Sequence, residues 1–340
     1  MSTLKNEVEH DCLREAAEAH SCGVEAVLPK MKYCDMHCDA LTSEGVLQVN
    51  KERLVKGECL LQCYAAFIKA REGRFSAAIS LADQFDALCK RENYHPVRSF
   101  CDIRSDSVNA LLTIEEGGAI EGDIEKLEAL YRRGVRLMTL TWNYPNEIGY
   151  PNFPDYEGLK TGRSSPYARE KVHGLTDFGR QTVERMCELG MIVDVSHGSD
   201  RLVTDVAEIC RRRGVPFTAS HSGAAVICPW ARNLEDEQIR LIAECGGIIG
   251  LDFCADFTSP DGSAEGQREA LLAHARHIIQ VGGEDILALG SDFDGIPPNP
   301  YLPDPSYMPT FLEMLEKTFG ERVAEKIASK NALRLFREVL

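Results

Sequence analysis

His37 and Asp39 stand one residue apart at the end of a short apolar run over residues 33–39. In an extended strand, residues i and i+2 project to one face, so an imidazole and a carboxylate would lie side by side. That pair can hold a divalent metal. One His-x-Asp pair is weak evidence, but the pattern recurs. Thr113-Ile114-Glu115-Glu116-Gly117-Gly118 sets Glu115 at the end of another apolar run, with glycines behind it where the chain must turn. Val193-Asp194-Val195-Ser196-His197, Ala219-Ser220-His221 and Gly290-Ser291-Asp292 end three further runs on His197, His221 and Asp292. Three histidines and three carboxylates exceed the needs of one tetrahedral zinc with an open position. They suit two metals sharing a bridging carboxylate.

Such side chains must be brought together by the elements that carry them. Eight short apolar, β-branched runs fall at residues 33–39, 59–67, 111–115, 136–142, 192–197, 216–222, 247–253 and 286–293. Between most of them lie helical patterns, at 75–89, 123–133, 177–189, 200–212, 235–245 and 265–281, and helices follow at 310–319, 321–329 and 331–339. Strands alternating with helices predict an α/β fold with parallel pairing. A doubly wound sheet would want a glycine-rich phosphate turn after its first strand, but that strand ends in His37-Cys38-Asp39. The predicted architecture is therefore a (β/α)8 TIM-type barrel over residues 31–340, with extra C-terminal helices. Residues 1–30 read as an N-terminal extension, helical plus linker. A barrel gathers the ends of its strands at one rim, where active sites form.

Composition narrows the partners. The chain has 340 residues, 38 Lys+Arg against 53 Asp+Glu, and a formal net charge of −15. Such a surface repels phosphate backbones, which argues against nucleic acid. The basic triplet Arg211-Arg212-Arg213 fits a helix C-terminus. No stretch reaches the roughly 18 apolar residues of a membrane span, and no targeting segment is apparent, so a cytoplasmic protein with no membrane partner is expected. The thirteen cysteines then read as reduced thiols, with Cys34, Cys38, Cys59 and Cys63 as small buried hydrophobes. No Gly-x-Ser-x-Gly elbow offers a serine nucleophile. His274 and His277, three apart on a helix, read as an exposed or interfacial pair, and His173 as a loop residue.

The sequence resembles the membrane (renal-type) dipeptidases, peptidase family M19, of the amidohydrolase-type metal-dependent barrels. The resemblance runs from about Tyr33 to Phe336. It rests on Asp35-Met36-His37-Cys38-Asp39, Leu112-Thr113-Ile114-Glu115-Glu116-Gly117-Gly118, Gly174-Leu175-Thr176-Asp177-Phe178-Gly179, Ser220-His221-Ser222 and Gly290-Ser291-Asp292-Phe293-Asp294-Gly295, in order and spacing. It implies a zinc-dependent dipeptidase whose substrates include dipeptides with a C-terminal D-residue. Two Zn2+ ions are implied: one on His37 and Asp39, one on His197 and His221, with Glu115, rather than Glu116, bridging them. Asp292 would manage the proton, and Arg232 would grip the substrate carboxylate through its bidentate fork. There is one departure. Where better-known members carry a histidine after the fourth strand, this chain has Trp142. Contact with the scissile carbonyl would pass to a metal, to Asn143 or to the 143–172 loop, with Trp142 and Asn143 as substrate-binding residues. Competing readings are an amidohydrolase acting on another small or cyclic amide, and a catalytically silent metal-binding scaffold. A homodimer is left open.

Overall fold

The computed structural model describes residues 31–69 and 71–340, so the expected extension over 1–30 lies outside the described residues. Among the described residues, nine strands run parallel to their neighbours: β1 (Tyr33–Asp35), β2 (Cys59–Phe67), β3 (His95–Val97), β4 (Asn109–Glu115), β5 (Leu137–Thr139), β6 (Ile192–Asp194), β7 (Thr218–Ser222), β8 (Ile248–Leu251) and β9 (Leu287–Leu289). β2 pairs with β4, and β1 pairs with both β2 and β9. The circuit β1-β2-β4-β5-β6-β7-β8-β9 therefore closes on itself as a (β/α)8 barrel, and the doubly wound alternative falls away. The eight barrel strands are the eight runs read from the sequence. β3 is an addition beside the first residues of β4, 109–111, while β5 pairs with 113–115. Pro96 in its middle hides β3 from a strand pattern.

The helices are α1 (Lys51–Lys56), α2 (Arg74–Glu92), α3 (Ile124–Arg133), α4 (Tyr156–Lys160), α5 (Asp177–Leu189), α6 (Asp200–Arg213), α7 (Asp236–Glu244), α8 (Ala255–Thr258), α9 (Ala264–Gly282), α10 (Met308–Phe319), α11 (Glu321–Glu325) and α12 (Asn331–Val339). Their ends follow local chemistry. Thr176 and Ser199 accept the Gly179 and Leu202 amides at the starts of α5 and α6, each cap worth about 1 kcal/mol. Gly190 and Gly214 close the same helices in left-handed conformation. The last turn of α6 carries Arg211, Arg212 and Arg213, which pair with Glu244, Glu184 and Glu188. The triplet is a helix terminus, as expected.

Inside the barrel, Leu137, Ile192 and Ile248, the first residues of β5, β6 and β8, pack with Cys34, Cys63 and Leu111. Ala332, Leu335 and Phe336 of α12 complete that cluster and seal the end of the barrel where the strands begin. All the described cysteines are free thiols, and most are buried. Among the described residues, no helix is long and apolar enough to cross a membrane. The opposite end of the barrel holds the polar side chains.

Candidate metal centre

His37 and Asp39 follow β1 on backbone tied to the flanking segments, Asp39 N–H donating to the Phe293 carbonyl and Cys38 N–H to that of Cys63. Glu115 ends β4, and His221 lies within β7. His197 and Asp292 sit three residues past β6 and β9, and both adopt positive φ, 65° and 60°. A left-handed non-glycine residue costs on the order of 1–3 kcal/mol, and such outliers cluster at functional sites. All six side chains are buried.

Their donor atoms converge on Glu115. Its Oε2 lies 3.5 Å from His37 Nε2, and its Oε1 lies 3.1 Å from His197 Nε2 and 3.9 Å from His221 Nε2. His37 Nε2 is also 3.9 Å from Asp39 Oδ2 and 3.8 Å from Asp292 Oδ1. Three overlapping triplets have all their ligand atoms within 4.8 Å of one another: His37/Asp39/Glu115, Glu115/His197/His221 and His37/His221/Asp292. Glu116 turns elsewhere, accepting the Trp142 and Gly118 amides and the Asn146 side chain.

His197 and His221 present Nε2 because a neighbour holds the Nδ1 side of each ring. Asn143 Oδ1 is 3.0 Å from His197 Nδ1, and Ser220 Oγ is 2.8 Å from His221 Nδ1. Ser220 Oγ in turn donates to Asp194 at 2.6 Å, and Asp194 also accepts the Ser196 and Ser220 amides. Asp35 repeats this arrangement for the other half of the cluster, accepting the His37 and Ser291 amides and the Ser291 hydroxyl. Outer carboxylates of this kind orient metal ligands. Glycines make room: a side chain at Gly295 would collide with Asp39 and Asp292, and one at Gly250 or Gly290 with the Ser220 carbonyl.

Arg232 lies beside the cluster, 3% exposed. Its Nη2 donates to the His221 carbonyl at 3.1 Å and stands 3.8 Å from Asp252 Oδ2, while its Nε has no partner. Asn233 anchors the loop by bonding Gly223, Cys228 and Phe257. A cleft of about 260 Å³ opens between Arg232 and His197, walled by aromatic side chains. Trp142 is not among the residues that line it. Its ring packs 4.8 Å from Phe67, 5.5 Å from Tyr156 and 6.2 Å from His197, centroid to centroid. Asn143 lines the cleft while bonded to His197.

The profile of the membrane dipeptidase family, peptidase family M19, matches residues 23–340. The chain belongs to the membrane dipeptidase family. It is thus an enzyme of the metallo-dipeptidase type. Dipeptidase 3 of Mus musculus is 28% identical over 306 residues, which span 86% of this chain and 58% of the mouse protein. The Klebsiella pneumoniae "uncharacterized protein in pqqA 5′ region" is 32% identical over 240 residues, 69% of this chain and 84% of that one. In fold, the chain resembles a Rhodobacter sphaeroides metallopeptidase solved with a phosphinate mimic of the dipeptide L-Ala-D-Ala. That likeness has a TM-score of 0.79 at 24% identity and covers 92% of this chain and 100% of the other.

The electrostatics of this M19 dipeptidase fit a cation. Burial pushes His197 down to about 4 and His221 well below its ordinary value, so both are neutral, the form that ligates. Burial, then Glu115, pushes Asp39 up to about 7; burial, then Asp252, pushes Asp292 well above the carboxylate range. Burial also opposes the charge on His37, yet Glu115, Asp39 and Asp292 outweigh it and bring the pKa up to about 10. Against burial, His37 and His197 hold Glu115 well below the carboxylate range. Both ring nitrogens of His37 and Asp39 Oδ1 are buried without a hydrogen-bond partner. Crowded carboxylates and orphaned donor atoms are what a divalent ion relieves.

A pH dependence follows. Below about 7 both Asp39 and His37 hold protons that a metal must displace, and between about 7 and 10 only His37 does. Metal affinity should therefore rise with pH as these protons become easier to displace. Competition against a chromophoric chelator at several pH values measures this. An affinity flat from pH 6 to 9 would mean that metal binding displaces no proton from either residue.

Other candidates lie apart. His274 is buried, bonded to the Ala224 amide and the Thr258 carbonyl, and His277 pairs with Asp236. His274 is thus a core residue, not half of an exposed pair, because α9 turns it inward over the 223–224 backbone. His173 is exposed, stacked on Tyr150 and paired with Glu170. Asp252, facing Arg232, was not singled out in the sequence, although Gly250-Leu251-Asp252-Phe253 ends a strand as the other acid-bearing runs do.

Proposed function

We propose that this chain is a two-zinc dipeptidase acting on dipeptides with a free C-terminus, including those ending in a D-residue. The observation that carries the reading is the placement of buried Arg232, with an unpartnered Nε, across one cleft from the donor cluster. His37 and Asp39 would hold one metal, His197 and His221 the other, and Glu115 both. When bound, such a pair polarises a carbonyl and lowers the pKa of a water to about 7.

The rest belongs to the protein. Arg232 offers its guanidinium to the terminal carboxylate, fixing which peptide bond reaches the cluster. Asp252 behind it balances the charge and limits how the fork can swing. Asp292 accepts a proton from the attacking water and passes it to the leaving amine; the burial that raises its pKa suits it to hold that proton between the two steps. Asn143 fixes the His197 ring. Trp142 joins Tyr156 and Phe67 in a wall that keeps bulk water from the scissile bond.

Arg232→Met tests this reading. A charge-assisted contact is worth about 1.5–3 kcal/mol, or roughly ten- to a hundred-fold in kcat/KM. The loss should fall on dipeptides with a free C-terminus and spare the already poor hydrolysis of their C-terminal amides. Arg232→Lys should recover only part of it. An equal loss on both substrates at equal metal content would place the carboxylate grip elsewhere.

A further inference from the structure

The cleft between Arg232 and His197 also bears on which side chain the substrate carries, an inference that rests on the dipeptidase reading. A dipeptide with its carboxylate at Arg232 and its peptide bond at the donor cluster must lay its C-terminal residue in this cleft. The walls there are Trp230 and Phe257 on the Arg232 side, and Phe153, Tyr156 and Leu159 from the 143–172 loop. Trp230 and Phe257 are in ring contact, centroids 5.1 Å apart, and the Arg232 guanidinium lies 5.5 Å from the Phe257 centroid. Phe153 and Tyr156 stack at 6.0 Å.

Besides Arg232, two charges reach the cleft, Lys160 and Asp256, and neither is placed to choose a charged side chain. Lys160 Nζ is bonded to Glu157 Oε1 at 3.1 Å and to the Tyr144 hydroxyl at 3.3 Å. Asp256 is exposed, where water screens it. The buried charge, Arg232, is the one the main-chain carboxylate takes.

We propose that the C-terminal residue of the substrate carries a large apolar side chain, aromatic or branched aliphatic, and that Trp230 and Phe257 select it. A rigid aromatic wall gains from contact area, loses little entropy on binding, and offers no hydrogen-bond partner to a charged group leaving water.

The experiment uses the metal-loaded enzyme with Gly-Phe, Gly-Leu, Gly-Ala, Gly-Asp and Gly-Lys, each with a D- and an L-residue at the C-terminus. Hydrolysis and calorimetric binding are both measured. Within the series that is cleaved, kcat/KM for Phe and Leu should exceed that for Ala, Asp and Lys by about tenfold or more. Trp230→Ala should collapse the Phe-to-Ala ratio to within about threefold, chiefly through KM, and Phe257→Leu should reduce it by less. Trp230 is the cleaner variant, since its contacts to the Asn233 amide and Arg169 come from its backbone carbonyl. A flat panel, or one led by Asp or Lys, overturns the proposal and leaves the dipeptidase reading standing. Dipeptides bound in the apolar order but not cleaved at full metal content overturn that reading and leave the pocket assignment standing. Dipeptides neither bound nor cleaved overturn both.

Discussion

Asp292→Asn is expected to keep its metals and lose about 10²–10⁴-fold in kcat, the range that general acid–base assistance supplies. Asparagine preserves the shape of the side chain but cannot take a proton from water as a carboxylate does. The surrounding backbone holds its conformation without that carboxylate. Asp292 N–H donates to the His37 carbonyl, its neighbour Ser291 is held by Asp35, and the left-handed turn at residue 292 is made by the main chain. The variant should therefore fold with the cluster in place. Asp292 Oδ1 is 3.8 Å from His37 Nε2 and belongs to the His37/His221/Asp292 triplet, so metal content must be measured beside kcat. Lost metal with proportionally lost activity would make Asp292 a ligand. Full activity at full metal content would remove it from the reaction.

Glu115→Ala should have the largest effect on metal. Glu115 carries the contacts that join the two halves of the cluster: Oε2 toward His37, Oε1 toward His197 and His221. Removing an outer partner of a ligand typically costs about 10–100-fold in affinity at one site. Asn143→Ala, which frees only the His197 ring, should behave in that way. Glu115→Ala should exceed it and weaken both sites together, and activity should fall with occupancy. Metal analysis after dialysis against a weak chelator separates the cases. If one equivalent stays tightly bound, the bridge lies elsewhere.

The barrel was legible because each of its eight strands is a short apolar run separated from the next by a helical pattern, and His37-Cys38-Asp39 closes off the dinucleotide alternative. The ligating pattern was legible because histidines and acids end several of those runs. Strand alternation, however, explains only His37, Asp39 and the in-strand positions of Glu115 and His221. His197 and Asp292 lie three residues beyond their strands and reach the cluster through left-handed turns. No alternation rule anticipates such a turn at a histidine or an aspartate. The supporting carboxylates Asp35, Asp194 and Asp252 sit in the same strand-end segments, but their roles depend on which serine or arginine the neighbouring strand brings opposite. That pairing is a property of the closed barrel. The cleft walls were harder still. Trp230 and Phe257 are 27 residues apart in sequence and meet where Asn233 ties the Phe257 carbonyl to the loop that carries Arg232. Trp142 was visible as a departure from the family pattern, yet its place in an aromatic wall emerges only from the packing of Phe67 and Tyr156 around it.

The most direct measurement is hydrolysis of L-Ala-D-Ala and L-Ala-L-Ala by protein loaded with zinc to two equivalents, repeated after chelation and after zinc is restored. The account predicts cleavage of the dipeptides, its loss on chelation, and its return with two equivalents of zinc rather than one. Protein that holds two equivalents of zinc and cleaves neither dipeptide would contradict it.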